Sequence, residues 1–257
     1  MRSALIGHTG FVGGNLAAQF SFTDFFNSKT IGGMAGREFD LVVCSGARAE
    51  KWKANQDPVA DQAGIRGLTD ILEKVRAREF ILISTVDVFR TPCDVDEATP
   101  IDTIGLGPYG LHRHELEQFC RERFATRVVR LPGLFGPGLK KNIIYDFLHN
   151  NQVDKVHADS VYQFYDLTRL WSDISVIRRH DIDLVHLATP PVSVADVASK
   201  AFGFEFTNRP AGNPARYDFQ TRHSDLFGGP AGYLHDEAEL WRRLQAFVSM
   251  SRTRAAA

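Results

Sequence analysis

Apolar and polar positions along the chain fall into short blocks that alternate between strand-like and helix-like spacing. Ala4-Leu5-Ile6 is an apolar run that enters a turn with glycines at positions 7, 10 and 13, and Asn15–Phe20 continues in helical register. Phe22–Phe26 reads as a short second strand and Phe39–Cys44 as another. Ile65, Leu68, Ile71, Leu72 and Val75 carry the spacing of one helix face. Phe80-Ile81-Leu82-Ile83 is continuously apolar, the pattern of a strand covered on both faces. From Tyr109 to Phe124 the apolar positions again fall on one side of a helix, and Arg127–Leu131 returns to strand spacing. This alternation predicts an α/β fold, a doubly wound parallel sheet of Rossmann-like type with right-handed crossovers.

After Leu131 the pattern loosens. Residues 132–138 read as a loop, Asn142–Leu148 as a helix, Val161–Tyr165 and Leu184–Leu187 as strands, and Val194–Ala201 as a short helix starting after Ser193. Residues 203–232 are rich in Gly, Pro, Asn and aromatics and are expected to be mostly irregular. Glu237–Met250 is amphipathic, and residues 252–257 read as a frayed tail. The expected organisation is one dinucleotide-binding domain over residues 1–257, with small substrate-cap segments mainly within 138–183 and 203–235.

Composition narrows the function classes. A chain of 257 residues with net charge −1 suits a small-molecule partner and points away from nucleic acid and from an anionic membrane surface. No apolar run approaches the roughly 20 residues needed to span a bilayer, and no secretion signal is read at the start. Cys44, Cys93 and Cys120 have no paired or metal-ligand spacing, so reduced thiols, a cytoplasmic location and no metal site are expected.

The chemistry-bearing residues lie where strands end. Gly7 permits a tight turn, Gly10 gives a pyrophosphate room at the backbone, and Gly13 lets the helix pack close to the strand. The amides at the helix start then point at phosphate. Ser84, Thr85 and Asp87 follow the apolar run at 80–83, a position where open α/β sheets bind ligands. Tyr109 and Arg113 are four apart and share a helix face, where the cation is expected to lower the phenol's pKa for acid/base work. A core tyrosine with a surface arginine is the plain alternative.

Taken together, these segments resemble the extended branch of the short-chain dehydrogenase/reductase superfamily, which contains NAD(P)-dependent nucleotide-sugar epimerases, dehydratases and reductases. Gly7-His8-Thr9-Gly10-Phe11-Val12-Gly13 is similar to its Thr-Gly-x-x-Gly-x-x-Gly turn. Ser84-Thr85-Val86-Asp87-Val88-Phe89 is similar to its Ser-Ser/Thr-x-x-Val-Tyr segment. Tyr109 matches its catalytic tyrosine, and Arg130 to Gly138 resembles its Arg-x-x-Asn-x-Tyr-Gly-Pro-Gly loop. The resemblance implies catalytic roles for Thr85, Tyr109 and Arg113. It implies cofactor contacts from Gly7, Thr9, Gly10, Phe11, Val12, Gly13, Ser45, Gly46, Ala47, Arg48, Ser84, Leu131 and Pro132 as well as from Tyr109 and Arg113. It implies substrate contacts from Asp87, Lys140, Lys141 and Asn142, the last three at a helix start suited to a diphosphate. The substrate implied is a sugar or nucleotide-sugar. A homodimer through the tyrosine helix and the helix before it is also implied.

Two departures qualify this resemblance. Arg113 stands where the family has a lysine that holds the nicotinamide ribose, and the swap changes donor geometry. Gly64 stands where the family has an asparagine. The substrate half is also short, and this together with Arg113 favours an alternative reading, a cofactor-binding regulatory or scaffold protein without turnover. Cofactor choice rests on Asn27-Ser28-Lys29. The carboxylate that would select NAD is missing there, so NADP is favoured over NAD, with Arg37 as an added phosphate ligand and a polar surface turn as the plain alternative.

Overall fold

A computed structural model describes the backbone of residues 1–256 and the side chains of residues 1–253. The chain divides into two compact units. One contains Met1–Arg90, Thr99–Leu131 and Leu170–Val185; the other contains Thr91–Ala98, Pro132–Arg169 and the chain from His186 onward.

In the first unit, β1 (Ser3–Ile6) leads into α1 (Phe11–Gln19) and β2 (Asp24–Phe26). β3 (Glu38–Cys44) is followed by α2 (Lys51–Gln56) and α3 (Pro58–Leu72). β4 (Arg76–Thr85), a 3-10 turn at Val86–Val88, α4 (Pro108–Arg123) and β5 (Thr126–Leu131) complete the run. The second unit opens with β6 (Gly133–Phe135), α5 (Ile143–His149), β7 (Val161–Tyr162) and β8 (Phe164–Asp166). The chain then returns to the first unit with α6 (Leu170–Arg179) and most of β9 (Leu184–His186). β10 (Val192–Ser193), α7 (Val194–Asp196, continued by a π-helical stretch at Val197–Phe202) and α8 (Glu237–Ala256) finish the second unit.

The sheet of the first unit has strand order β2-β1-β3-β4-β5-β9, with the pairs from β2 through β5 parallel. Apolar runs on both faces explain the inner strands: Leu41 to Cys44 and Phe80 to Leu82 are almost entirely buried. α3 begins where Asp57 caps the amide of Ala60 and Pro58 opens the first turn. Its Ile65, Leu68 and Leu72 join Leu116 and Cys120 of α4, and Phe124 just after it, in one core cluster. Strand order reverses at β1, so the carboxyl ends of β1 and β3 flank the crevice where such sheets bind ligands. The register brings the edges level: Ile6 pairs with both Phe26 and Cys44, and Cys44 pairs with Leu82.

The Rossmann-like class is therefore as expected, with several local differences. α2, which begins with the exposed Lys51-Trp52-Lys53, was not expected from the pattern. The loop expected at 132–138 contains β6, which pairs with β8. Val161–Tyr165 is two strands rather than one. Leu170–Val185, expected partly in the cap, joins the sheet unit: Leu170, Ile174 and Ile177 are buried, and Trp171 stacks on Phe20 at 3.9 Å between ring centroids. α8 stays helical to Ala256 where a frayed tail was expected; Ala257 lies outside the described residues. Glu97 accepts from the Thr221 hydroxyl (2.6 Å) and from the amides of His186 (2.7 Å) and Arg222 (2.8 Å) within the second unit. Among the described residues no helix is long and apolar enough to cross a membrane.

Candidate active site

The glycine turn is shaped by backbone contacts that tolerate no side chain at two positions. Gly7 has φ +86°, and a Cβ there would lie 2.5 Å from the Ser45 carbonyl oxygen. A Cβ at Gly13 would lie 2.1 Å from the Gly7 carbonyl oxygen, so α1 packs against the turn itself. Gly10 differs. Its φ is −82°, it is exposed, and a Cβ there would meet only the Gly7 oxygen, at 3.3 Å. Gly10 is the N-cap of the nine-residue α1, and no side chain caps that end. An uncapped helix start with an open glycine at the carboxyl end of β1 is a cradle that fits a dinucleotide pyrophosphate.

The neighbouring expected residues divide by task. The Ser45 hydroxyl donates to the Ile6 carbonyl (2.9 Å), splicing β3 to β1. A Cβ at Gly46 would press on Ile6 at 2.9 Å, and Ala47 packs against the core. At the end of β2, Asn27 Oδ1 accepts from the amides of Lys29 (2.9 Å) and Thr30 (3.2 Å), leaving Ser28 and Lys29 exposed. Arg37, expected to help with a phosphate, instead pairs with Asp24 and lies over the rings of Phe26 and Phe39.

Thr85 and Tyr109 are brought together by three short-range devices. Thr85 ends β4, and its hydroxyl accepts from the Asp87 amide (3.1 Å) to cap the Val86–Val88 turn. Tyr109 sits in the first turn of α4, with its amide donating to Asn55 Oδ1 of α2 (3.1 Å). Gly110 allows α4 to touch the turn after Thr85: a Cβ there would lie 2.1 Å from the Asp87 carbonyl oxygen. The phenol is 7 % exposed as a residue. Burial pushes its pKa above the usual tyrosine value; the Arg113 cation, a hydrogen bond from Thr85 and the Lys51 charge oppose that rise, and Asp87 adds to it. The expectation of a lowered phenol pKa is thus corrected, because desolvation outweighs the cation.

Arg113 explains why it does not win. Its guanidinium carbon lies 4.0 Å from the centre of the Tyr109 ring, over the ring rather than at the hydroxyl. Both terminal nitrogens are engaged with Asp61 of α3, one at 2.9 Å, and one also donates to the Arg48 carbonyl. His112 Nδ1 lies 2.8 Å from the same Asp61 carboxylate, which, ionised, only accepts, so Nδ1 carries the proton. Burial would raise the Asp61 carboxyl, but Arg113 and His112 bring it below its usual value. Arg113 is 3 % exposed, so the plain alternative of a surface arginine does not hold, and the guanidinium joins α4 to Asp61 of α3.

No family model and no curated protein matches the chain. Solved structures do. A UDP-N-acetylglucosamine 4-epimerase from Methanobrevibacter ruminantium M1 aligns over 100% of this chain and 99% of its own, with TM-score 0.75 and 11% identity. A dTDP-glucose 4,6-dehydratase double mutant from Streptomyces venezuelae, solved with NAD, aligns over 98% and 97%, with TM-score 0.74 and 13% identity. A dTDP-4-dehydrorhamnose reductase from Bacillus anthracis str. Ames, in complex with NADP, aligns over 97% and 98%, with TM-score 0.71 and 18% identity. The chain shares the fold of these structures, an α/β parallel sheet of Rossmann-like type.

Ser84, expected at the cofactor, is buried. Its hydroxyl donates to Glu117 (2.5 Å) and is taken up in the core rather than offered to a ligand. Glu117 also holds Arg130 at 2.6 and 3.0 Å, and both side chains are buried. Burial alone would raise the Glu117 carboxyl; His114, Arg130 and Ser84 bring it from 4.5 down to about 2. Because the folded value is the lower one, this stability is present above about pH 4.5 and is lost as pH falls toward 2. Glu117→Gln leaves Arg130 buried without its counter-charge. It should lower unfolding free energy by about 3–5 kcal/mol at neutral pH and flatten the acid dependence in urea melts. A loss below about 1 kcal/mol would contradict a buried-pair role.

Asn142, expected at the substrate, caps the start of α5. Its Oδ1 accepts from the amides of Ile144 (3.0 Å) and Tyr145 (3.2 Å), and its Nδ2 donates to the Leu134 carbonyl (2.7 Å). The helix-start amides expected to meet a diphosphate are therefore already capped, while Lys140 and Lys141 are exposed before them. Leu131 ends β5 opposite Thr85, and Pro132 follows it in the chain. Sequence reasoning missed α2, which supplies Lys51 to Asp87 (2.8 Å) and Asn55 to Tyr109. The four-residue spacing of Lys51 and Asn55 is the signal for a shared helix face.

Proposed function

We propose that the protein is an NAD(P)-dependent oxidoreductase or epimerase acting on a sugar, most simply one carried by a nucleotide. The observation that carries this reading is the meeting of two features at one sheet edge: the uncapped Gly7–Gly13 cradle and the Thr85–Tyr109 pair. The similar structures, an epimerase, a dehydratase and a reductase of nucleotide sugars, support the same reaction class. A bound nicotinamide would supply or accept the hydride. Gly7, Thr9, Gly10, Phe11, Val12 and Gly13 would hold its pyrophosphate.

Tyr109 carries the proton. With its phenol pushed above the usual tyrosine value, it is protonated at neutral pH and serves as the acid that delivers a proton to a substrate carbonyl oxygen. Thr85 hydrogen-bonds the phenol and stands ready to hold the same oxygen. Arg113 acts through the Tyr109 ring. Asp87, Lys140 and Lys141 are proposed to contact substrate. At the end of β2, exposed Ser28 and Lys29 with no carboxylate between them support NADP over NAD.

Ligand at about 100 times its dissociation constant should raise stability by about 2.7 kcal/mol. Thermal melting with NADP, NAD, their reduced forms and no ligand reads this out. The expected order is a larger shift with NADP; the absence of a shift with every form would remove the cofactor reading. A second reading, cofactor binding without turnover, is favoured by the commitment of Arg113 to Asp61. It expects the thermal shift without any reaction.

A further inference from the structure

The charges around Tyr109 come from more than its own helix. Arg113 places one cation over the ring, but both of its terminal nitrogens are committed to Asp61, with His112 on the same carboxylate, and to the Arg48 carbonyl. A second cation arrives from α2. Lys51 Nζ lies 2.8 Å from Asp87 Oδ1, in the turn that follows Thr85. α2 is fixed at this place by Asn55, one helical turn on, which accepts the Tyr109 amide at 3.1 Å. Gly110 seats α4 against the Asp87 carbonyl. Lys51, Asp87, Thr85 and Tyr109 therefore converge from α2, the turn after β4 and α4.

We propose that Lys51 and Asp87 are positioning residues for Tyr109, an ion pair that sets how readily the phenol gives up its proton from outside the Tyr-x-x-x-Arg segment. This rests on the reading of Tyr109 as the proton-carrying group. The two members act in opposite directions: Lys51 favours the phenolate and Asp87 disfavours it. The Lys51 side chain is 50 % exposed and that of Asp87 17 % exposed, so the lysine is the member that solvent and salt reach. The groups that act on the phenol are then Arg113 from α4, Lys51 from α2, Thr85 at the end of β4 and Asp87 from the turn after it, with Asp61 holding both Arg113 and His112.

The test is the tyrosinate ultraviolet titration of the full chain, read for each variant as the difference from the same variant carrying Tyr109→Phe. Lys51→Met should move the Tyr109 midpoint up, Asp87→Asn should move it down, and Lys51→Arg should leave it at the native position. Both shifts should shrink in high salt, as expected of a half-exposed pair. An unchanged midpoint in Lys51→Met would overturn the proposal, as would movement of both variants in one direction, which is the signature of a merely structural contact. Should Lys51→Met not fold, Asp87→Asn decides: a downward shift supports the pair and no shift overturns it. Because the readout is titration and not turnover, its failure is separate from failure of the proposed enzymatic reaction.

Discussion

Tyr109→Phe is expected to lower turnover by a factor of about 10² to 10⁴ while the fold and cofactor affinity persist. The hydroxyl is the only group removed. The ring remains, with the Arg113 guanidinium 4.0 Å from its centre, and the backbone amide still reaches Asn55 at 3.1 Å. Packing around α4 is therefore retained, and the loss falls on proton transfer. Single-turnover hydride transfer at saturating cofactor separates this from a binding defect. Native rates in Tyr109→Phe would assign the proton to another group.

The second large effect is expected at the glycine turn, where two glycines should fail in different ways. At Gly10 the backbone is extended and a Cβ meets only one atom, 3.3 Å away. Gly10→Val should therefore fold and yet lose the cofactor-dependent stabilisation, about 2.7 kcal/mol at 100 times the dissociation constant, because the branched side chain fills the cradle. At Gly13 a Cβ would sit 2.1 Å from the Gly7 carbonyl oxygen. Gly13→Ala should lower the stability of the ligand-free protein by about 1–3 kcal/mol as α1 is forced off the turn. Melting each variant with and without NADP distinguishes the two. A cofactor shift that survives in Gly10→Val would mean that the pyrophosphate lies elsewhere.

The parts of this architecture that local spacing encodes were legible in the sequence. Apolar runs at Leu41–Cys44 and Phe80–Ile83 predict inner strands because both faces of those strands are covered. The glycine spacing predicts the turn because each glycine answers a local backbone demand. Two helices were not seen. α2 buries only Ala54, so its six residues carry no apolar stripe. α6 does carry one, with Leu170, Ile174 and Ile177 at helical spacing. The site chemistry was less legible because its decisive partners are far apart in the chain. Arg113 meets Asp61 from 52 residues away, Ser84 meets Glu117 from 33 residues away, and Lys51 meets Asp87 from 36. The spacing of Tyr109 and Arg113 announces that the pair shares a helix face. It does not announce that an aspartate on α3 holds the guanidinium, or that burial outweighs the cation at the phenol.

The central claim is that a nicotinamide held at the Gly7–Gly13 turn exchanges hydride with a sugar beside Tyr109. The most direct measurement is the nicotinamide absorbance of the cofactor-loaded protein, followed after mixing with a panel of nucleotide-linked sugars and keto sugars. Loading with the oxidised cofactor in one arm, followed on the single-turnover timescale on which an epimerase transiently holds the hydride, and with the reduced cofactor in the other covers epimerase and reductase outcomes alike. The account predicts a change in the reduced-nicotinamide band with at least one member of the panel, at a rate that collapses in Tyr109→Phe. A protein that binds the cofactor and leaves the band unchanged with every member, in both arms, would contradict it.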